Sequence, residues 1–305
     1  MTHDIKDLRI GVLMGGLSPE RPISLISGNA VYKALKAKGA NAVAIDIDTH
    51  TLDKIINAKL DVAFIALHGK YGEDGIMQSI LEFLRVPYTG SGPLASALAM
   101  DKTMTQQFLE KNGILMPKYC EVTTAKEVKN IKLKYPVVLK PVDAGSAVGV
   151  FIVETVKEAL AALPKVQKIS KRVIIQEYIK GVEISVPVLI DKALSVIEIV
   201  PANKFYDFDA KYTAGKSDHI MPARIEKTLY KKAQEIAVRT HQLLGCRDLS
   251  RTDMIVSGKK IYTLECNTIP GFTPVSLFPQ AAKEAGISFY DLIIILLQEA
   301  LKRGV

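Results

Sequence analysis

Tryptophan is absent from this sequence, and aromatic residues make up only 7% of it. A single-stranded nucleic-acid platform stacks bases on aromatics interleaved with basic residues, and no such patch occurs. Cysteine is scarce too: Cys120, Cys246 and Cys266 are far apart and have no C-x-x-C spacing. That excludes a disulfide framework and a cysteine zinc site, and fits a reducing compartment. Long apolar runs are missing. The greasiest stretch, residues 293–297, lies between Asp291 and Gln298 and is far too short to span a bilayer. The opening residues MTHDIKDLRI carry acids and lack the basic-then-apolar order of a signal peptide, so a cytoplasmic protein without a membrane segment is expected. There is no G-x-x-x-x-G-K-[ST] loop, and no G-x-G-x-x-G follows the first predicted strand. No repeat or low-complexity tract is found.

What is present is an ordinary globular composition, 48% hydrophobic and 24% charged over 305 residues. That length suits two or three subdomains rather than one small core. The unusual number is a net charge of +8 at pH 7. It admits nucleic acid, an anionic membrane or a phosphorylated small molecule as partner. Residues 111–180 hold thirteen Lys and Arg against six Asp and Glu, a difference of +7, so nearly all the excess sits in the middle of the chain.

Hydrophobic patterning predicts strands at 9–14, 42–47 and 60–67, with helices at 24–38 and 75–85. Alternating strands and helices imply a parallel sheet covered on both faces, with ligands at the loops after the strands. Those loops are GGLSPERP (15–22) and HGKYGEDG (68–75). Further on, the pattern predicts a helix at 101–112, strands at 136–142 and 148–154, a helix at 155–163, and β-rich segments at 172–179 and 184–200. The last third reads as a polar loop (203–222), a helix (226–244), strands at 251–256 and 260–266, and two closing helices. Subdomain boundaries are expected near 90 and 185.

Two segments carry chemistry. In YPVVLKPVDAGSAVGV (135–150), Lys140 leaves a β-branched run and a loop with Gly145, Ser146 and Gly149 follows. Glycines let backbone N–H groups approach an anion, and a lysine adds a point charge. By itself this segment is equally an ordinary hairpin with a solvated lysine. In SRTDMIV and YTLECNTIPG, Asp253 lies on one predicted strand, and Glu265 and Asn267 are two apart on the next, facing one way. Three oxygen-bearing side chains on one face suit a hard cation such as Mg²⁺, which shares phosphate oxygens and keeps waters. The plainer account is a solvent-facing polar face. Arg251 beside them is either a stabiliser of developing negative charge or a salt-bridge partner of Glu265.

Taken in order, GGLSPERPISLISG (15–28), ALHGKYGEDG (66–75), PYTGSGPLASALAMDK (87–102), VVLKPVDAGSAVGV (137–150), EYIKGVEISV (177–186), FYDFDAKY (205–212), SRTD (250–253) and ECNTIPGFTPVSLFP (265–279) resemble the D-alanine–D-alanine ligases of the ATP-grasp superfamily. The resemblance covers essentially the whole chain. It implies an α/β protein, α+β in parts, with a three-subdomain ATP-grasp fold: a Rossmann-like parallel-sheet domain (1–90), a central subdomain with a glycine lid (91–184) and a C-terminal subdomain (185–305). It implies ligation of two D-alanines with ATP through an acyl phosphate, for peptidoglycan precursors. Charge neutralisation and positioning, rather than a nucleophilic side chain, would carry such a reaction.

By the same resemblance, Lys102 and Lys140 contact ATP phosphates under a lid at 143–149 that contains Gly145, Ser146 and Gly149. Residues 176–179, including Gln176 and Ile179, read adenine through the backbone, and Glu183 holds the ribose. Asp253, Glu265 and Asn267 match ligands of a pair of Mg²⁺ or Mn²⁺ ions. Arg251 and the N–H of Gly271 match the group that stabilises the tetrahedral intermediate. Glu20 matches the binder of the first D-Ala ammonium, with Ser146 and Tyr212 hydrogen-bonded to it. Lys211, Ser276 and Leu277 match the pocket for the second carboxylate, and His68 a histidine near the substrates. Departures are Ala147 for a second lid serine, Gln176 for a common glutamate and a conservative Thr252. Tyr212 after Lys211 points to D-Ala as acceptor; D-lactate or D-Ser are the near alternatives, and a nucleic-acid-binding protein a distant one. A homodimer is the family expectation.

Overall fold

The computed structural model describes residues 5–145, 148–201 and 217–305. A 3-10 turn (Ile5–Asp7) leads into a parallel sheet of three strands in the order β2–β1–β3, formed by β1 (Ile10–Gly15), β2 (Ala42–Ile47) and β3 (Val62–Ile65). β1 is buried along its whole length because helices cover both faces. Val12 and Met14 pack with Val31 and Leu35 of α1 (Arg21–Ala37) and with the C-terminal helix α10 (Phe289–Arg303). Leu13 packs on the other face with Ile55 of α2 (Thr51–Ala58) and Met77 and Leu81 of α3 (Ile76–Phe83). This is the sheet expected from the strand–helix alternation. β3 is shorter than its predicted span of 60–67, and Asp61 instead accepts from the N–H of Arg9 at 2.7 Å. Helix α2 has no sequence counterpart, since only Ile55 and Ala58 of its eight residues are buried.

Helices α4 (Pro93–Met100) and α5 (Lys102–Lys111) follow. Asp101 caps α5, accepting from the N–H groups of Thr103 and Met104. A second sheet, antiparallel, has the order β4–β7–β5–β6, with β4 (Tyr119–Val122), β5 (Val137–Pro141), β6 (Phe151–Val153) and β7 (Val173–Glu177). Its back packs on α6 (Ala125–Lys129) and α7 (Val156–Gln167) through Val128, Leu163, Val173 and Ile175. α7 runs through Pro164 rather than stopping at 163, because buried Leu163 and Val166 anchor its last turn to the sheet.

The third sheet has the path β11–β10–β8–β12–β13, every neighbour antiparallel. Its strands are β8 (Val182–Leu189), β10 (Ile197–Pro201), β11 (Ser217–Ile220), β12 (Leu249–Ser257) and β13 (Lys260–Asn267), with short β9 (Lys192–Ala193) beside β8. Helix α8 (Lys227–Leu243) covers its back through Ala233 and Ala237. β11 corrects the expectation of a loop over 203–222: residues 217–220 pair with β10 from Glu198 to Pro201. Helix α9 (Leu277–Glu284) precedes α10.

The end of the chain returns to the first sheet. Phe272 meets Phe64 edge-on at 5.1 Å and packs with Phe278 and α10. Arg303 of α10 pairs with buried Asp248 at 2.6 Å and donates to the Tyr88 carbonyl at 2.7 Å, while the N–H of Gly90 donates to Asp248. Residues of the 269–277 loop share a cavity with Glu20 and His68, which follow β1 and β3. Among the described residues no helix is long and apolar enough to cross a membrane.

Candidate active site

The second and third sheets face each other across a cleft of about 400 Å³, within the usual range for a small-molecule site. Strand alternation decides which side chains face it. On β5 and β7, Val137, Leu139, Val173 and Ile175 point back to the helices. Val138, Lys140 and Gln176 therefore point forward and line the cleft, together with Ile152, Ile179 and Glu183. Lys140 is buried there. Lys102, first residue of α5, donates from Nζ to the Ala144 carbonyl at 2.5 Å and lies 3.9 Å from Glu265 Oε2. Lys102, Lys140, Ala144 and Val148 thus all line the cleft. Gly149, next to Val148, adopts φ +75°. Ser146, Lys211 and Tyr212 lie outside the described residues.

The carboxylate group comes from strand register. Arg251 stands opposite Asn267 and Asp253 opposite Glu265, so all four share one face of β12 and β13. Asp253 is also opposite Ser185 of β8 and accepts from its hydroxyl at 2.6 Å. It accepts from Arg251 Nε at 2.9 Å and Nη2 at 2.7 Å, and from Asn267 Nδ2 at 3.1 Å. The salt-bridge partner of Arg251 is therefore Asp253, not Glu265. The two residues are two apart on one strand, whereas Glu265 leans toward Lys102. Two carboxylates and an amide oxygen are a hard-donor set. Among the described residues no three His, Cys, Asp or Glu side chains converge on one point. A cation held by this set must take its remaining ligands from phosphate and water, as Mg²⁺ does.

A second cavity adjoins the Arg251 and Asn267 end of this face. It is lined by Glu20, His68, Gly145, Arg251, Asn267, Gly271, Ser276 and Leu277, together with Glu73, His219 and Thr273. Glu20 is buried at the start of α1, its N–H donating to Ser18 Oγ at 3.2 Å. Two glycines make room for its carboxylate. A Cβ at Gly69 would lie 2.3 Å from Glu20 Oε2, and one at Gly145 3.2 Å from Oε1. Gly69 has φ +69°, where side chains are disfavoured.

His68 Nε2 is 3.3 Å from Ser27 Oγ, which accepts from the N–H of Phe272 at 3.3 Å. Its Nδ1 is 3.7 Å from Glu73 Oε1, and Glu73 Oε2 accepts from the N–H of Gly69 at 2.8 Å. His68 thereby ties the first sheet's loop to the 272 loop. Ser276 Oγ is 2.9 Å from Thr273 Oγ1 and 3.1 Å from the Thr273 N–H. Burial holds the His219 pKa below its usual value, with a contact to Gln280 opposing the shift and Arg251 adding to it. Glu73, Gly69 and His219 are site residues with no individual signal in the sequence. Glu73 and Gly69 stand in HGKYGEDG, a loop expected to meet ligand; His219 lies on β11, where the sequence predicts a loop.

Lys102, Gly145, Glu265 and Asn267, with Glu73, line a small pocket that shares wall residues with both cavities. The lysine end of the cleft therefore adjoins the cavity that holds Glu20 and Arg251.

Two antiparallel sheets closing on a lysine-tipped cleft, preceded by a parallel α/β unit, define an ATP-grasp protein. Residues 50–91 match the family model described as D-ala D-ala ligase N-terminus, and residues 108–298 the one described as D-ala D-ala ligase C-terminus. The chain is 47% identical to a D-alanine–D-alanine ligase of Geotalea uraniireducens, covering 99% of each. It is 45% identical to one of Carboxydothermus hydrogenoformans, covering 97% of this chain and 99% of the other. A crystal structure of the Bacillus anthracis D-alanine–D-alanine ligase complexed with ATP superposes with TM-score 0.83 at 33% identity, over 97% of this chain and 98% of that one. The chain belongs to the D-alanine–D-alanine ligase family.

Proposed function

We propose that this protein joins two D-alanines into D-alanyl-D-alanine with ATP. The observation that carries this reading is that the two cavities adjoin through shared wall residues, so a carboxylate beside Glu20 and Arg251 would lie next to a phosphate held at Lys102 and Lys140. The first D-Ala enters with its ammonium on Glu20. Its carboxylate oxygen attacks the γ-phosphorus, ADP leaves, and an acyl phosphate forms. The amine of the second D-Ala attacks the acyl carbon, and the carbonyl oxygen becomes an oxyanion facing Arg251 and the Gly271 N–H. Phosphate departs as the amide bond closes, and the amine loses its proton.

Lys102, Lys140 and the lid residues Gly145, Ser146 and Gly149 neutralise and enclose the phosphates. Glu183 takes the ribose hydroxyls, and Gln176 to Ile179 the base. Asp253, Glu265 and Asn267 would hold Mg²⁺ or Mn²⁺, which supplies charge neutralisation between the phosphates. Lys211, Ser276 and Leu277 receive the second carboxylate, Tyr212 and Ser146 support Glu20, and His68 orients the substrate loop. The reading keeps three units, 1–90, 91–184 and 185–305, with β8 starting just ahead of the last, in a cytoplasmic homodimer that serves peptidoglycan synthesis.

ADP release is measured with ATP and Mg²⁺, with D-Ala or L-Ala added. The reading predicts release dependent on D-Ala. Release independent of either amino acid would refute it.

A further inference from the structure

We propose that Gln106 fixes the side-chain amide of Gln176 with its oxygen toward the nucleotide cleft, and that this makes the site select a purine bearing a 6-amino group. The inference rests on the ATP-dependent ligase reading and names the device by which that site recognises its base.

Gln106 is fully buried on α5, one helical turn beyond Lys102, so both reach from one face of the helix toward the cleft. Its Nε2 donates to the Pro117 carbonyl and to Glu110 Oε1, the latter at 3.1 Å. A backbone carbonyl and a carboxylate only accept, so the Gln106 amide has one workable orientation, with Oε1 pointing the other way. Gln176 Nε2 donates to that Oε1 at 2.6 Å. The chain of amides is thus polarised from Pro117 and Glu110 through Gln106 to Gln176. Reversing Gln176 would require reversing Gln106, which sets its carbonyl against two acceptors.

Gln176 is buried on β7 and lines the cleft. It stands opposite Val138, while Lys140 stands opposite Ile174. It is therefore two strand residues, about 7 Å, from the level of the phosphate lysine. Its bond to Gln106 turns the Nε2 end of the amide toward α5, so the end offered to a base is Oε1. A 6-amino group donates to that oxygen. A 6-oxo group would set two acceptors face to face with no proton between them, a mismatch that a desolvated site penalises strongly.

Three triphosphates distinguish the two amide orientations on the unmodified enzyme: ATP, purine riboside triphosphate with hydrogen at the 6 position, and inosine triphosphate with a 6-oxo group. With D-Ala saturating, kcat/KM is expected to fall in that order, ATP exceeding inosine triphosphate by at least about tenfold. Inosine triphosphate matching or exceeding purine riboside triphosphate would mean the NH₂ faces the cleft, and would overturn the proposal. Gln106→Leu is expected to shrink the ATP-over-inosine ratio at least about fivefold through the nucleotide KM, leaving the D-Ala KM unchanged. Gln176→Glu in that background, an acceptor that needs no orienting, is expected to restore the ratio. An unchanged ratio in folded Gln106→Leu would overturn the positioning role; should that variant not fold, the analogue order on the unmodified enzyme decides. Absence of D-Ala-dependent turnover with every triphosphate would instead overturn the ligase reading beneath it.

Discussion

Arg251 grips both carboxylate oxygens of Asp253 from two residues earlier on the same strand, Nε to Oδ1 at 2.9 Å and Nη2 to Oδ2 at 2.7 Å. The guanidinium thus occupies the charge that a cation at Asp253 would neutralise, while also facing the Glu20 cavity. Arg251→Met leaves Asp253 with only Ser185 and Asn267 among these partners. Turnover is expected to drop at least about a hundredfold, as for loss of an oxyanion donor. Mn²⁺ affinity without nucleotide, read by paramagnetic relaxation, is expected to rise because the ion no longer competes with the guanidinium. Weaker Mn²⁺ binding would contradict the competition.

Glu265 is only partly buried, and its contact to Lys102 is a long 3.9 Å. At that separation the two groups share no hydrogen bond, and glutamine keeps the size of the side chain. Glu265→Gln should therefore leave the thermal midpoint nearly unchanged while lowering turnover at least about a hundredfold. Wild-type rates in the coupled ADP assay would remove Glu265 from the ligand set.

Gly69→Ala combines a Cβ 2.3 Å from Glu20 Oε2 with a backbone at φ +69°. Either the carboxylate or the loop must move. A displacement of about 1 Å at a positioned group can cost about a hundredfold. Steady-state kinetics should show the D-Ala KM rising at least about tenfold with the ATP KM unchanged; equal effects on both would mean the loop serves the whole site rather than Glu20.

How far the sequence foretold this arrangement depended on the kind of signal. The Asp253, Glu265 and Asn267 face was visible because strand alternation is a fixed period of two, and the register pairs Asp253 with Glu265. The first sheet was visible because β1 and β3 are apolar on both faces. β11 was not, because a run like Ser217–Ile220 has no apolar pattern of its own and becomes a strand only by pairing with β10. The return of Phe272 and α10 onto the first sheet was equally hidden, since contacts between distant segments leave no periodicity. The Arg251 partner was misplaced because which of two nearby carboxylates a long side chain takes is decided by three-dimensional spacing, with Lys102 holding Glu265 aside.

His241 is buried behind the third sheet, its Nδ1 2.8 Å from Ser250 Oγ. Burial lowers its pKa from the ordinary 6.5, with Asp191 opposing weakly. The fold keeps it neutral while the unfolded chain takes up a proton below about 6.5. Its contribution to stability is complete above that value and is lost as pH falls toward the lowered folded pKa; His219 has the same sign. Urea unfolding at pH 7.5 and 5.5 is expected to show lower stability at 5.5, and His241→Gln to reduce the difference. A pH slope unaltered by the substitution would place the titration elsewhere.

Purified protein, ATP, Mg²⁺ and isotopically labelled D-Ala are incubated, and dipeptide and phosphate are quantified together by mass spectrometry and phosphate release, with D-Ser and D-lactate as competing acceptors. The account predicts labelled D-alanyl-D-alanine and phosphate in equal amounts, with D-Ala the preferred acceptor. Phosphate without dipeptide, or a mixed product dominating at equal acceptor concentrations, would contradict it.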